Sequence, residues 1–140
     1  MITAIDTNII VALWDDNDAL YLPALRLLDA VSSRGGLVIC GAVFGELLAC
    51  PGRTEDFVNK FLDESEIVVD WSSSETIWRV AGAAFQTYAI RRRRSRAGDP
   101  RRILTDFYIG AHASCNGYSL LTLDEGIYRT AFPKLRLFGV

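Results

Sequence analysis

The chain has 140 residues, half of them apolar, and carries 17 acidic and 15 basic side chains for a net charge of −2. This composition excludes a globally disordered chain, and the length predicts a single domain at 1–140 with a core of its own. The start of the chain lacks the features of a signal peptide, and no apolar run approaches the roughly 18 residues of a membrane span. We therefore expect a cytoplasmic protein that does not bind membranes.

Short apolar runs alternate with helix-like segments along the chain. A first strand is predicted at 2–5, and the apolar stripe of residues 9–14 predicts a helix directly after it. Further strands are predicted at 37–40, 66–71 and 119–124, with an edge strand at 134–140. Further helices are predicted at 23–31, at 42–50, after the N-cap Thr54, at 77–88 and at 104–115. The helix at 77–88 is expected to continue into an arginine run. This alternation predicts an α/β fold, a sandwich of helices around a mainly parallel sheet.

Cysteines and tryptophans suggest packing and not chemistry. Cys40, Cys50 and Cys115 are odd in number and set in apolar sequence. This predicts small core residues in a reducing compartment, without a disulfide framework or a zinc site. The three tryptophans lie on apolar stripes, which places them in the core or at a dimer interface.

Two aspartates follow apolar strands. Asp6 ends the segment ITAID, and Asp124 ends SLLTLD. Parallel strands present their carboxyl ends at one edge of the sheet, where ligands of such folds bind, so we expect both carboxylates there. Each aspartate could instead serve only as a helix N-cap.

Two more acidic side chains stand out on predicted helices. Glu46 lies in an apolar stripe, where an unpaired carboxylate is costly to bury. Asp106 lies in the first turn of its helix, a position that the helix dipole alone would also favour. Four converging carboxylates without His or Cys select a hard cation, Mg²⁺ or Mn²⁺. Such an ion predicts phosphodiester hydrolysis by a metal-activated water.

The chain resembles the PIN-domain ribonucleases, and among them the VapC-type toxins of type II toxin–antitoxin pairs. The resemblance lies in AIDTNII, the lone helical Glu of GELL, DFYIGAHA and LLTLDEGIYRTAFPKL, whose order and spacing cover nearly the whole chain. It implies a PIN-like three-layer α/β/α sandwich. It also implies that the catalytic, metal-binding quartet consists of Asp6, Glu46, Asp106 and Asp124.

The same resemblance implies an activity and its partners. The chain is expected to be an endoribonuclease that depends on Mg²⁺ or Mn²⁺ and acts on RNA. It is expected to form a homodimer and to be held inactive by a cognate antitoxin. Asn8, from the DTN triplet, and Thr122, two residues before the last aspartate, are implied to support the quartet by hydrogen bonds.

One basic segment interrupts an otherwise acidic chain. Residues 91–102 hold seven arginines and one aspartate, a local charge of +6, which leaves −8 for the rest. These arginines either complement a helix end or contact RNA phosphates or a protein partner, and they include Arg91, Arg92, Arg93, Arg94 and Arg96. The alternative function is therefore a non-catalytic PIN-like module that binds RNA or protein through Arg91–Arg102.

The single histidine is not predicted to take part in the chemistry. His112 follows Asp106 by six residues, about 240° around a helix with 3.6 residues per turn. We therefore expect it to face away from the metal site and to serve packing.

Overall fold

The computed structural model describes residues 1–96, 98, 100 and 102–139. Within those residues the chain forms five strands and seven helices: β1 Thr3–Ile5, α1 Thr7–Leu13, α2 Tyr21–Ser32, β2 Leu37–Cys40, α3 Gly41–Leu48, α4 Glu55–Glu64, β3 Ile67–Asp70, α5 Glu75–Arg94, α6 Leu104–Asn116, β4 Ser119–Leu121, α7 Glu125–Ala131 and β5 Leu137–Phe138. The helices flank the sheet as the outer layers of a three-layer α/β/α sandwich, which confirms the predicted fold class.

The five strands form one sheet in the order β3-β2-β1-β4-β5. Each neighbouring pair is parallel, and Ala4 of the central strand lies opposite both Val38 and Leu120. Strands β1, β2 and β4 are buried along their whole length. Helices therefore cover both faces of the sheet, which explains why these strands consist of almost continuous apolar residues.

Helix ends follow local capping signals. The Thr54 hydroxyl accepts a hydrogen bond from the Phe57 amide at 3.1 Å, so the predicted N-cap of α4 is confirmed. Ser74 caps α5 in the same way through the Ile77 amide at 3.2 Å. Helix α6 stops at Gly117, whose φ of +70° is a left-handed conformation that favours glycine. The chain then turns directly into β4.

The prediction for the cysteines is partly wrong, and for two of the three tryptophans only the dimer-interface alternative remains. Cys40 is buried as predicted, but Cys115 is exposed on the last turn of α6. Trp71 and Trp78 are 65% and 49% exposed, so they do not belong to the core. Trp71 packs edge-on against Phe44, which leaves aromatic surface open to solvent.

Helix α5 is the longest helix, with 20 residues, and it ends in Arg91–Arg94. None of the helices in the described ranges combines the length and the apolar character that crossing a membrane requires.

Candidate active site

The candidate site lies where β1 and β4 end, in the middle of the sheet. Asp6 follows β1 directly, and its amide donates to the Leu121 carbonyl at 2.9 Å. Asp124 follows the end of β4 by three residues and begins α7. The two aspartates therefore lie at the same edge of the sheet, as the strand pattern predicts.

All four predicted acidic residues line one pocket of about 290 Å³ at this edge. They come from four separate places in the fold: the start of α1, the middle of α3, the first turn of α6 and the start of α7. The lining consists of Asp6, Thr7, Asn8, Val11, Glu46, Arg102, Asp106, Asp124, Ile127 and Tyr128. The fold thus brings together acidic residues that are up to 118 positions apart in the sequence, Asp6 and Asp124.

Asp6 is the buried member of the quartet, with 6% of its surface exposed. Its Oδ1 accepts the Thr7 amide at 2.8 Å, so it does cap α1. Its Oδ2 accepts the hydroxyls of Thr122 at 2.8 Å and Tyr128 at 3.0 Å. Burial raises the pKa of Asp6 to about 6; the hydroxyl and amide donors oppose this shift, and the charge of Asp106 adds to it.

The predicted supporting residues lie beside Asp6. The Asn8 side-chain amide is 3.4 Å from both the Asp6 Oδ2 and the Thr122 hydroxyl, and its oxygen accepts the Leu123 amide at 3.1 Å. The Thr122 hydroxyl also accepts the Asp124 amide at 3.0 Å. These contacts join the start of the chain to the segment that carries the last aspartate.

Glu46 is more exposed than its sequence neighbours predict. It is half-buried, Ala49 on its predicted stripe is exposed, and Cys50 is half-buried. Its Oε1 accepts the Thr7 hydroxyl at 2.7 Å. The expectation of a carboxylate buried in an apolar stripe is therefore wrong, because the helix presents this face to the pocket and its solvent.

Asp106 and Asp124 share a cation that sequence analysis did not single out. The Arg102 Nη1 donates to the Asp124 Oδ2 at 2.5 Å, and this contact raises the pKa of Arg102. The pKa of Asp106 is raised, mainly because the carboxyl group is partly buried. The positive charge of Arg102 opposes this shift, and the negative charge of Asp124 adds to it. The sequence pattern does not distinguish Arg102 from the other arginines of the run, because Arg102 is the last residue of that segment.

Tyr128 was also missed. It is 1% exposed, and burial together with the charges of Asp6 and Asp106 raises the pKa of its hydroxyl, which therefore stays protonated as a donor. It lies four residues after Asp124, the spacing of one helical turn. The four-residue spacing between Asp124 and Tyr128 has meaning only if 125–131 is a helix, and the apolar pattern does not predict that helix.

The donor set fits a hard cation, because it consists of carboxylates with neighbouring hydroxyl and amide oxygens. Yet within residues 1–96, 98, 100 and 102–139, no three His, Cys, Asp or Glu side chains are arranged so that they could hold a metal ion together. Three of the four carboxylates instead accept hydrogen bonds from the chain's own donors. Asp6 holds two hydroxyls, Glu46 holds a third, and Asp124 is paired with Arg102. These internal donors take up carboxylate oxygens of the quartet.

His112 is a packing residue, as predicted. It is 1% exposed, and its Nε2 lies 2.8 Å from the Asp70 Oδ2. Hydrogen bonds from Ser72 and then from His112 lower the pKa of Asp70. None of these three residues is among those that line the acidic pocket.

The arginine run lies outside the acidic pocket, apart from Arg102. Arg91, Arg92, Arg93 and Arg94 form the last turn of α5, where they complement the helix dipole, and Arg96 follows the helix. All five are exposed except Arg92, which is half-buried. Positions 97, 99 and 101 of the predicted basic segment lie outside the described residues.

An all-parallel sheet covered by helices, with four carboxylates at the ends of its central strands, defines an α/β/α protein with an acidic site. The chain belongs to the PIN domain family, whose model matches residues 3–133. No curated protein matches the chain significantly.

Solved structures of similar fold include components of toxin–antitoxin complexes. VapBC-1 from nontypeable Haemophilus influenzae matches with a TM-score of 0.70 and 19% identity, covering 99% of this chain and 98% of that one. VapBC2 from Rickettsia felis, bound to a promoter DNA fragment, matches with a TM-score of 0.61 and 19% identity, covering 100% and 99%. VapC20 from Mycobacterium tuberculosis, a toxin that cleaves the sarcin–ricin loop, matches with a TM-score of 0.62 and 18% identity, covering 96% and 98%. At these identities the likeness is one of fold.

Proposed function

We propose that this protein is a metal-dependent endoribonuclease of the VapC type, the toxin of a toxin–antitoxin pair. The observation that carries the proposal is the convergence of four carboxylates, from four elements of a PIN fold, on one pocket. Catalysis of phosphodiester hydrolysis requires charge neutralisation beside the reacting phosphate, and a carboxylate-bound cation supplies it.

Asp6, Glu46, Asp106 and Asp124 would hold Mg²⁺ or Mn²⁺. A cation bound there would lower the pKa of a water and stabilise charge on the phosphate oxygens, which yields 5′-phosphate and 3′-hydroxyl products. The chain's own contribution is orientation. The hydroxyls of Thr122 and Tyr128 hold one Asp6 oxygen at 2.8 and 3.0 Å, which fixes the direction of the other.

The proposed partners are an RNA substrate, a cognate antitoxin and a second copy of this chain. The antitoxin is suggested by the similar folds found in VapBC assemblies and in FitAcB from Neisseria gonorrhoeae. For the homodimer, we assign the exposed rings of Trp71 and Trp78 to the proposed interface. A cytoplasmic location is proposed along with these partners.

The testing experiment is cleavage of end-labelled total RNA by purified protein with Mn²⁺, with EDTA, and by an Asp106→Asn variant. We expect discrete 5′-phosphate products with Mn²⁺ and at least a hundredfold slower cleavage with EDTA or in the variant, as for losing several kcal/mol of transition-state stabilisation. Asp106 is suited to this test because it lies in the first turn of α6 and lines the acidic pocket, and the backbone hydrogen bond of its carboxyl group is with Ile103.

Asp56→Asn is the matched control. Asp56, like Asp106, is acidic and lies in the first turn of a helix, but it is exposed on α4. Both variants lose one charge and one favourable interaction with a helix dipole. Equal cleavage by wild type and Asp106→Asn, with Asp56→Asn also unchanged, contradicts the proposed role of the acidic pocket.

The second candidate is the non-catalytic binding module. It is favoured by the arginines exposed at the end of α5, on a surface separate from the acidic pocket. This candidate predicts salt-sensitive RNA binding that is indifferent to EDTA, together with no turnover. The cleavage experiment therefore separates the two candidates.

A further inference from the structure

The acidic pocket contains one built-in cation. Among the described residues that line it, Arg102 is the only basic one. Its guanidinium is bonded to Asp124, and the two side chains are 39% and 40% exposed. The Arg102 amide donates to the Tyr88 hydroxyl at 3.2 Å, which ties this segment to α5. Arg102 is thus directed at the quartet by its backbone position.

Arg102 supplies positive charge beside the four carboxylates of the quartet. Carboxylates that share a pocket repel one another, and a cation or protons must offset that repulsion. Arg102 lines the same pocket as the four carboxylates and pairs directly with Asp124, so its charge lies within the site of the quartet. Without a bound metal, the protein therefore supplies part of the neutralisation itself.

We propose that Arg102 is an internal counter-cation that competes with the divalent metal for Asp124, so that metal binding requires the Arg102 guanidinium to leave that carboxylate. This inference rests on the proposed function, because it assigns a role toward the same metal.

Partial exposure makes the exchange feasible. An exposed ion pair contributes little net stability, and a freed guanidinium can be hydrated. A dication near the same carboxylate repels the guanidinium and attracts the carboxylate twice as strongly as one positive charge does. Metal loading should therefore displace Arg102, and removing Arg102 should make loading easier.

The test is calorimetric titration of RNA-free protein with Mn²⁺, comparing wild type, Arg102→Gln and Arg129→Gln. Arg129 is the matched control, because it also pairs with a carboxylate at 2.7 Å, that of Glu125, but it does not line the pocket. We expect Arg102→Gln to bind Mn²⁺ roughly three- to tenfold more tightly than wild type, the range for a partly exposed pair. Arg129→Gln should stay within about twofold of wild type.

A second measurement observes Arg102 in the wild-type protein and uses Arg102→Lys only to assign its resonance. In wild type, titration with Mg²⁺ should shift the side-chain nitrogen resonance of Arg102, which is assigned by its loss in Arg102→Lys. In an Asp124→Asn background, Arg102→Gln should no longer tighten Mn²⁺ binding, because the carboxylate for which Arg102 and the metal compete is absent.

Three results overturn the inference: equal effects of Arg102→Gln and Arg129→Gln, weaker Mn²⁺ binding by Arg102→Gln, or an unmoved Arg102 resonance while Mg²⁺ binds. In each of these cases the protein still binds metal, so the proposed nuclease survives. If neither wild type nor Arg102→Gln binds Mn²⁺, the metal dependence of the proposed function fails together with the inference.

Discussion

Asp6 has a structural task and a proposed chemical task in one side chain. One oxygen caps α1 through the Thr7 amide, and the other accepts the hydroxyls of Thr122 and Tyr128. A carboxylate that accepts hydrogen bonds on both oxygens is held in a single orientation, as a metal ligand requires. This arrangement costs free energy when Asp6 is ionised, because the charge is then held where only 6% of the residue is exposed.

This cost gives a pH-dependent stability. Because the pKa of Asp6 rises from 3.8 to about 6 in the folded state, folded protein binds the proton more readily than unfolded protein. The free energy of unfolding should therefore fall as pH rises from about 4 to about 6, by up to roughly 3 kcal/mol from this residue.

Asp6→Asn should stabilise metal-free protein in EDTA at pH 7.5 by about 1–2 kcal/mol, with the gain shrinking at pH 4.5. The gain in stability stays below the full cost of burying the charge, because an amide has one acceptor oxygen and a carboxylate has two. The hydroxyls of Thr122 and Tyr128 must then turn to accept hydrogen bonds from the NH₂ group of the asparagine. Denaturant unfolding at both pH values measures it. Asp16→Asn, on an exposed loop, controls for charge. A loss of stability at pH 7.5 contradicts the prediction.

At the scale of elements, helix α7 is held in place by its contact with α6. Gly110 lies one turn after Asp106 on α6, and a Cβ at Gly110 would come within 2.3 Å of the Phe132 ring, which follows α7. The absence of a side chain lets α7 approach closely. This contact positions the helix that begins at Asp124 and carries Tyr128.

Gly110→Ala should lower the free energy of unfolding by about 1–3 kcal/mol, because the buried Phe132 ring must shift. Loss of RNA cleavage should accompany it if the displacement reaches Asp124. Thermal unfolding and the cleavage assay together measure both effects.

Gly82→Ala is the matched control on a second helix. Gly82 is exposed on α5, and nothing lies within 4 Å of an added Cβ. Alanine there should raise stability by up to about 1 kcal/mol through helix propensity. Similar effects of the two substitutions would contradict the close packing of α6 and α7.

The limits of sequence reasoning are clear at this scale. Strand β2 was predicted at its observed bounds because four apolar residues lie between a glycine pair and a helix. Helix α7 was missed because its seven residues, EGIYRTA, contain one large buried side chain and no repeating stripe. Tertiary contacts and not local pattern specify it. The Arg102–Asp124 and Asp6–Tyr128 contacts were missed for the same reason, since they join residues that are 22 and 122 positions apart.

For the molecule as a whole, charge is divided between an acidic site and a basic helix end. RNA would be repelled by the quartet unless cations compensated for it, and the arginines at the end of α5 can supply long-range attraction. Arg93 and Arg94 are exposed in the last helical turn. Their contribution to RNA binding remains a prediction.

The double substitution Arg93→Gln and Arg94→Gln should weaken RNA binding and reduce its salt dependence. For single-stranded RNA, each lost phosphate contact should lower the slope of log K against log salt by about 0.7. Binding of Asp106→Asn, the variant in which cleavage is expected to be lost, to labelled RNA across a salt series measures this.

Arg26→Gln with Lys60→Gln is the control, since both residues are exposed on other helices and their loss changes net charge equally. If the two double variants lose affinity alike, only net charge matters, and the position of the arginine run does not.

The sheet order has a consequence for how the protein is made. The central strand β1 pairs with β4, and Asp6 becomes buried only when Thr122 and Tyr128, 116 and 122 residues later, contact it. A growing chain on the ribosome therefore lacks the pocket until the segment that carries Thr122 and Tyr128 has emerged. A protein proposed to destroy RNA would be harmless to the messenger that encodes it until that point of its own synthesis.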